Sequence, residues 1–187
     1  MSRVKFFPSS TMIFGYTDDN KPLFWDLLDP GVRSVLVVAE DPHALMAPWL
    51  SEMYAASHID ANLTLLHGDE KYDLPVSQYS LYDRSAGKAV MRVSADAEAV
   101  SLGRRRVGGL EFHMIVIDDV AKFLAHQDFQ ERETLRNLMT HEDTIQVNVL
   151  AGMSIYNYDY DLAGQFGAVL TFNGQVGVFK DVKFRTV

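Results

Sequence analysis

The 187-residue sequence contains no cysteine. That excludes disulfides, thiolate metal sites and cysteine nucleophiles together, and it suits a reducing, cytoplasmic setting. Proline is sparse, with 6 residues, and no Pro/Gly/Ser-rich stretch reads as a linker between domains. No run approaches the roughly 18 apolar residues that cross a membrane. The N-terminus, Met1-Ser2-Arg3-Val4-Lys5-Phe6-Phe7-Pro8, is basic but lacks the apolar core of a signal peptide. Positive charge is scarce as well: 17 Lys and Arg stand against 25 Asp and Glu, a net −8 at pH 7. Phosphate backbones are bound by basic surfaces, so contact with DNA is expected only through a larger assembly.

What is present describes a globular chain. Apolar residues make up 48% and charged residues 22%, enough for a real core. The length fits one domain under a prior of roughly 100–200 residues each. The reading is a single α/β domain over 1–187, with a β-hairpin lead-in at 1–30 and a closing β-hairpin at 175–187.

Thr11–Tyr16 and Pro22–Leu27 read as strands across the turn Thr17–Lys21. Ser34-Val35-Leu36-Val37-Val38-Ala39 is continuously apolar after its serine. That marks a strand buried on both faces of a parallel sheet. Asp41 then caps a helix, with Pro42 in its first turn. The helix carries Leu45, Met46, Trp49, Leu50, Met53 and Tyr54 at spacings of three and four. Leu63–His67 is a further strand. Val76–Tyr82 and Ala89–Val93 read as a hairpin across Arg84–Lys88, and Ser94 as the cap of a short helix over 95–102. His113–Ile117 is a buried strand, Phe129–His141 a helix, and Ile145–Leu150 and Ala168–Phe172 are strands. Gly177–Phe179 and Val182–Phe184 close the chain as a hairpin. Apolar strands alternating with amphipathic helices predict βαβ units and a mainly parallel sheet.

Most polar candidates fail on spacing. The histidines (His43, His58, His67, His113, His126, His141) show no paired-ligand pattern, and each reads as a surface or strand-end residue. Ser9, Ser10 and Ser154 lack a Gly-x-Ser-x-Gly setting. Asp69, Glu70 and Asp73, with Asp118 and Asp119, are the carboxylates that could gather at the carboxyl edge of the sheet. No metal site is assigned to them. Arg104-Arg105-Arg106 is the one basic run, read either as a solvated helix end or as a docking element. Tyr156, Tyr158 and Tyr160 form an aromatic segment suited to an interface or to packing over the sheet.

The strand Met114–Ile117 ends in Asp118-Asp119. Four apolar residues followed by two acids is the Walker B pattern, whose first carboxylate serves Mg²⁺ and whose second orients the attacking water. Together with Pro22–Leu27, the strand Val35–Ala39, the upstream Arg104–Arg106, Val147–Ala151 and Phe166–Phe172, this order resembles the FtsK/HerA-type DNA translocases. The resemblance covers most of the chain through degenerate motifs. It implies a three-layer, mainly parallel sheet of RecA-like P-loop NTPase type, with peripheral β-hairpins.

A working P-loop reads G-x-x-x-x-G-K-[ST], with backbone N–H groups and a lysine around the phosphates. The matching stretch here reads Glu40-Asp41-Pro42-His43-Ala44-Leu45-Met46-Ala47. Glu40 and Leu45 stand where the glycines belong, Met46 where the lysine belongs and Ala47 where the hydroxyl belongs. Two acids at a helix N-terminus repel a triphosphate. Gly87-Lys88 offers no substitute, since it follows no apolar strand and Ala89 comes next; it reads as a turn. Ser154 and Asn157 are the polar candidates after the next strand. The expectation is therefore a catalytically inactive ATPase-like domain with no cofactor and no ATP hydrolysis, acting through a protein partner or self-association. The alternatives are a translocase-type subunit whose nucleotide site a partner completes, and an unrelated α/β ligand-binding domain.

Overall fold

The structure is a computed structural model that describes residues 10–56, 62–102, 113–140 and 147–186. Among these residues, ten strands form one sheet: β1 (Thr11–Thr17), β2 (Pro22–Asp26), β3 (Ser34–Ala39), β4 (Asn62–His67), β5 (Ser77–Ser80), β6 (His113–Ile117), β7 (Val147–Ser154), β8 (Ala168–Asn173), β9 (Val176–Phe179) and β10 (Val182–Arg185). Their order is β2-β1-β10-β9-β8-β3-β7-β6-β4-β5. The half from β8 to β5 is wholly parallel. The half from β2 to β8 is antiparallel. The N-terminal and C-terminal hairpins therefore meet at β1 and β10 and extend the sheet beyond β8.

Among the described residues, five α-helices accompany the sheet: α1 (Pro42–Ala56), α2 (Arg84–Ser101), α3 (Val120–His126), α4 (Phe129–Thr140) and α5 (Tyr160–Ala163). The alternation of side chains along each strand divides the core in two. Val35, Val37, Met114 and Val116 face Met46, Trp49 and Leu50 of α1. Leu36, Val38, Ile115 and Ile117 face α2, α3 and α4 through Val90, Phe123 and Leu135. The result is helix, sheet, helix. Burying each large apolar side chain stabilises by about 1.5–3 kcal/mol, which is why β3 and β6 show no polar alternation.

Trp49 ties α1 to the extended half of the sheet. Its ring meets Phe14 edge-on at 5.0 Å and Phe172 at 5.6 Å, and Phe172 meets Phe184 at 5.3 Å.

Three expectations are corrected here. Residues 76–93 do not form a hairpin. β5 pairs parallel to β4, and Arg84–Ser101 is one continuous helix. The cap is Asp83, whose carboxylate accepts from the Ser85 N–H at 3.0 Å, so Ser94 lies inside the helix. Gly87 is likewise no turn. A Cβ there would stand 2.3 Å from Cδ of Glu131 and 2.4 Å from Oε1 of Gln127. Glycine is what lets α4 approach α2 so closely. The basic run Arg104–Arg106, together with His58, His141 and the strand start at Ile145, lies outside the described residues.

Candidate functional site

Parallel strands end on one edge, and open α/β sheets place ligands beyond that edge. The carboxyl ends of β3, β4, β6 and β7 converge on a cleft of about 430 Å³. Glu40–His43, Gly68–Glu70, Asp118–Asp119 and Ser154 with Asn157 reach it from the four strands in turn.

Asp118 sits at its floor, 9% exposed. Its backbone N–H donates to Leu66 O at 3.0 Å, fixing it beside the end of β4. Oδ2 accepts from the Gly68 N–H at 3.0 Å. Oδ1 accepts the hydroxyl of Tyr72 and lies 3.1 Å from Nδ1 of His43. The His43 and Tyr72 rings are 4.4 Å apart. The second ring nitrogen of His43 lies 4.0 Å from Oε2 of Glu70 at the mouth. Burial, reinforced by the Asp118 carboxylate and more distantly by Asp41, holds the Tyr72 phenol well above its ordinary pKa. Tyr72 reaches the floor because Gln78 of β5 clamps its loop. The Gln78 side chain accepts from the Tyr72 N–H at 3.1 Å and donates to Tyr72 O at 2.7 Å.

Asp119 does different work. It caps α3, accepting from the Lys122 N–H at 3.0 Å, and its other oxygen lies 3.6 Å from Lys122 Nζ. Burial works against the Lys122 ammonium, but Asp119 and the hydroxyl of Tyr82 outweigh it and raise its pKa.

The stretch between β3 and α1 divides between cleft and core. Asp41 caps α1 through the Ala44 N–H at 3.0 Å. Glu40 is exposed and accepts the Tyr156 hydroxyl at 3.1 Å. Met46 is fully buried beside Trp49, and Leu45 and Ala47 pack on the same cluster. Gly152 of β7 supports the floor from beneath. A Cβ there would fall 2.1 Å from Asp118 O and 2.6 Å from Pro42 Cβ. No side chain larger than hydrogen fits between that strand end and the start of α1.

Beyond the cleft, Ile155–Asn157 makes one 3-10 turn and Asp159 caps α5. Tyr156 and Tyr160 are 73% and 82% exposed, while Tyr158 packs edge-on against Tyr160 at 4.7 Å. Asp69 and Glu70 line the mouth of the cleft, whereas Asp73, also exposed, does not. Among the described residues no group of three or more histidines and carboxylates is arranged to hold a metal ion.

The structure thus brings together Glu40–His43, Asp118, Asp119, Ser154 and Asn157. Tyr72 was missed from the sequence: it stands in a loop with no motif around it. The partnership of His43 with Asp118 was missed too, since His43 read as a surface residue.

No protein-family model matches the sequence, and no curated protein matches it. Solved structures do match, and they define the class of fold as that of P-loop ATPase-like domains. EssC ATPases 2 and 3 from Geobacillus thermodenitrificans align with a TM-score of 0.69 at 13% identity, over 98% of this chain and 42% of that one. Thermomonospora curvata EccC ATPases 2 and 3, in complex with a signal sequence peptide, align at 0.63 and 11% identity, over 98% and 44%. The pCW3 conjugation coupling protein TcpA, with ATPγS, aligns at 0.65 and 11% identity, over 96% and 66%. The chain therefore spans less than half of the EssC and EccC chains it matches. Among the described residues, no helix is long and apolar enough to cross a membrane.

Proposed function

We propose that this chain is a non-hydrolysing ATPase-like domain that works by binding protein. One observation carries the reading: the Walker B-like Asp118 is already engaged within the fold. One oxygen accepts from Gly68, and the other accepts from Tyr72 and faces His43. In the working enzymes of this fold the corresponding carboxylate serves Mg²⁺. The residues present here do not fit a magnesium nucleotide. Met46 is buried in the core, and at the helix N-terminus Asp41, beside Glu40, already takes the Ala44 N–H. The exposed tyrosines after β7 support the binding half of the reading, because Tyr is enriched at interfaces. The EccC structure with a signal sequence peptide is consistent with it.

The test is a thermal melt with and without Mg-ATP, alongside a phosphate-release assay. The expected result is no shift and no turnover. A shift of several degrees that Asp118→Ala abolishes would sink the reading.

A further inference from the structure

Resting on that reading, we propose that the tyrosine ledge and the mouth of the cleft form one docking surface, and that its partner is an arginine- or lysine-rich protein segment. The ledge is built rather than loose. Ser154 and Asp159 cap its two turns, and the Asp159 N–H also reaches Sδ of Met153 at 3.4 Å. Its rings lie out of the core, Tyr156 bonded to Glu40 and Tyr160 edge-on to Tyr158. Rigid tyrosines offer large contact area at little entropic cost. Phe129 is comparably exposed but lies on α4 and does not line the cleft.

The ledge is continuous with the cleft. Ser154 and Asn157 line both, and the Tyr156 hydroxyl is bonded to Glu40. Charge then selects the occupant. Glu40, Asp41, Asp69 and Glu70 stand exposed around the opening. Among the described residues, Lys122 is the one lysine or arginine that lines it, and it is paired with Asp119. Phosphate groups are repelled by such a mouth, whereas guanidinium groups stack on tyrosine faces and pair with carboxylates.

The probe is a fluorescein-labelled arginine–alanine octapeptide, followed by anisotropy against its glutamate counterpart and against a single-stranded oligo-dT. Saturable binding of the arginine peptide alone is expected, weakening as salt rises from low to physiological strength. Tyr156→Ala with Tyr160→Ala should weaken it by about two- to fivefold per ring. Glu40→Gln with Glu70→Gln should weaken it and flatten the salt dependence, while Asp19→Asn with Asp181→Asn, away from the cleft, should change nothing. Equal binding of the glutamate peptide or of oligo-dT overturns the proposal. So does wild-type binding by the tyrosine and carboxylate variants, or a homo-oligomer that those variants dissolve without any peptide binding. A partner captured through Tyr156 while the arginine peptide fails removes the partner's chemistry and leaves the protein-binding reading standing. A Mg-ATP shift lost in Asp118→Ala removes the reading itself.

Discussion

Tyr72 and Asp118, 46 residues apart in sequence, are joined by a buried hydrogen bond at the floor of the cleft. The bond links the loop after β4 to the end of β6. Removing the hydroxyl leaves a buried carboxyl oxygen short of a donor, which costs about 1–3 kcal/mol. Tyr72→Phe should therefore lower the unfolding free energy by that amount, read as a lower urea midpoint at an unchanged m-value. An unaltered midpoint would mean that the contact contributes nothing.

The same bond makes stability sensitive to alkali. The folded pKa of Tyr72 lies well above the usual value near 10, chiefly through burial and then through Asp118. The unfolded chain thus releases this proton first as pH rises. The contribution is complete below about pH 10 and declines above it, by up to about 1.4 kcal/mol per pH unit, until the folded phenol itself ionises. Between pH 9 and 11 the wild type should lose stability more steeply than Tyr72→Phe. Parallel curves for the two proteins would refute the assignment.

The sequence made the parallel half of the sheet readable because β3 and β6 are apolar on both faces, which only a doubly covered strand tolerates. The helix α2 was not readable in the same way. Ala89-Val90-Met91-Arg92-Val93 carries β-branched residues next to a Gly-Lys pair, and local chemistry alone favours strand and turn there. What decides the matter is tertiary. Ala86, Ala89, Val90, Val93 and Ala97 share one buried face, and Gly87 lies where α4 crosses. The strand-to-helix turn at Asp41 was legible from Asp-Pro itself. The union of the two hairpins through β1 and β10 was not, because nothing local encodes which edges meet. The site divides along the same line: Asp118 stood out at a strand end, whereas Tyr72 becomes visible only when Gln78 folds its loop inward.

Gly152 tests how tightly the floor is packed. Alanine there would drive a methyl into the Asp118 carbonyl and into Pro42, both of them fixed by strand and helix ends. Overpacking of this kind costs typically about 1–3 kcal/mol. Gly152→Ala should lower the melting temperature and disturb the Asp118 environment, seen as shifted amide resonances for Gly68 and His43. A variant as stable as the wild type would show that β7 can move away from the α1 terminus.

Tyr156 separates binding from folding. Its ring is largely exposed, and the hydrogen bond of its hydroxyl to Glu40 is exposed too. That bond is the largest cause of its raised phenol pKa. Substitutions at such positions usually change stability by less than about 0.5 kcal/mol. Tyr156→Ala should therefore melt with the wild type yet lose affinity for any protein partner captured by the wild-type chain. Glu40→Gln should bind nearly as well as the wild type at high salt and more weakly than it at low salt, since only the charge is removed. Pull-down and calorimetry on the two variants check both statements. If Tyr156→Ala lowers the melting temperature by several degrees, the ledge is part of the folded core rather than a surface held ready for a partner.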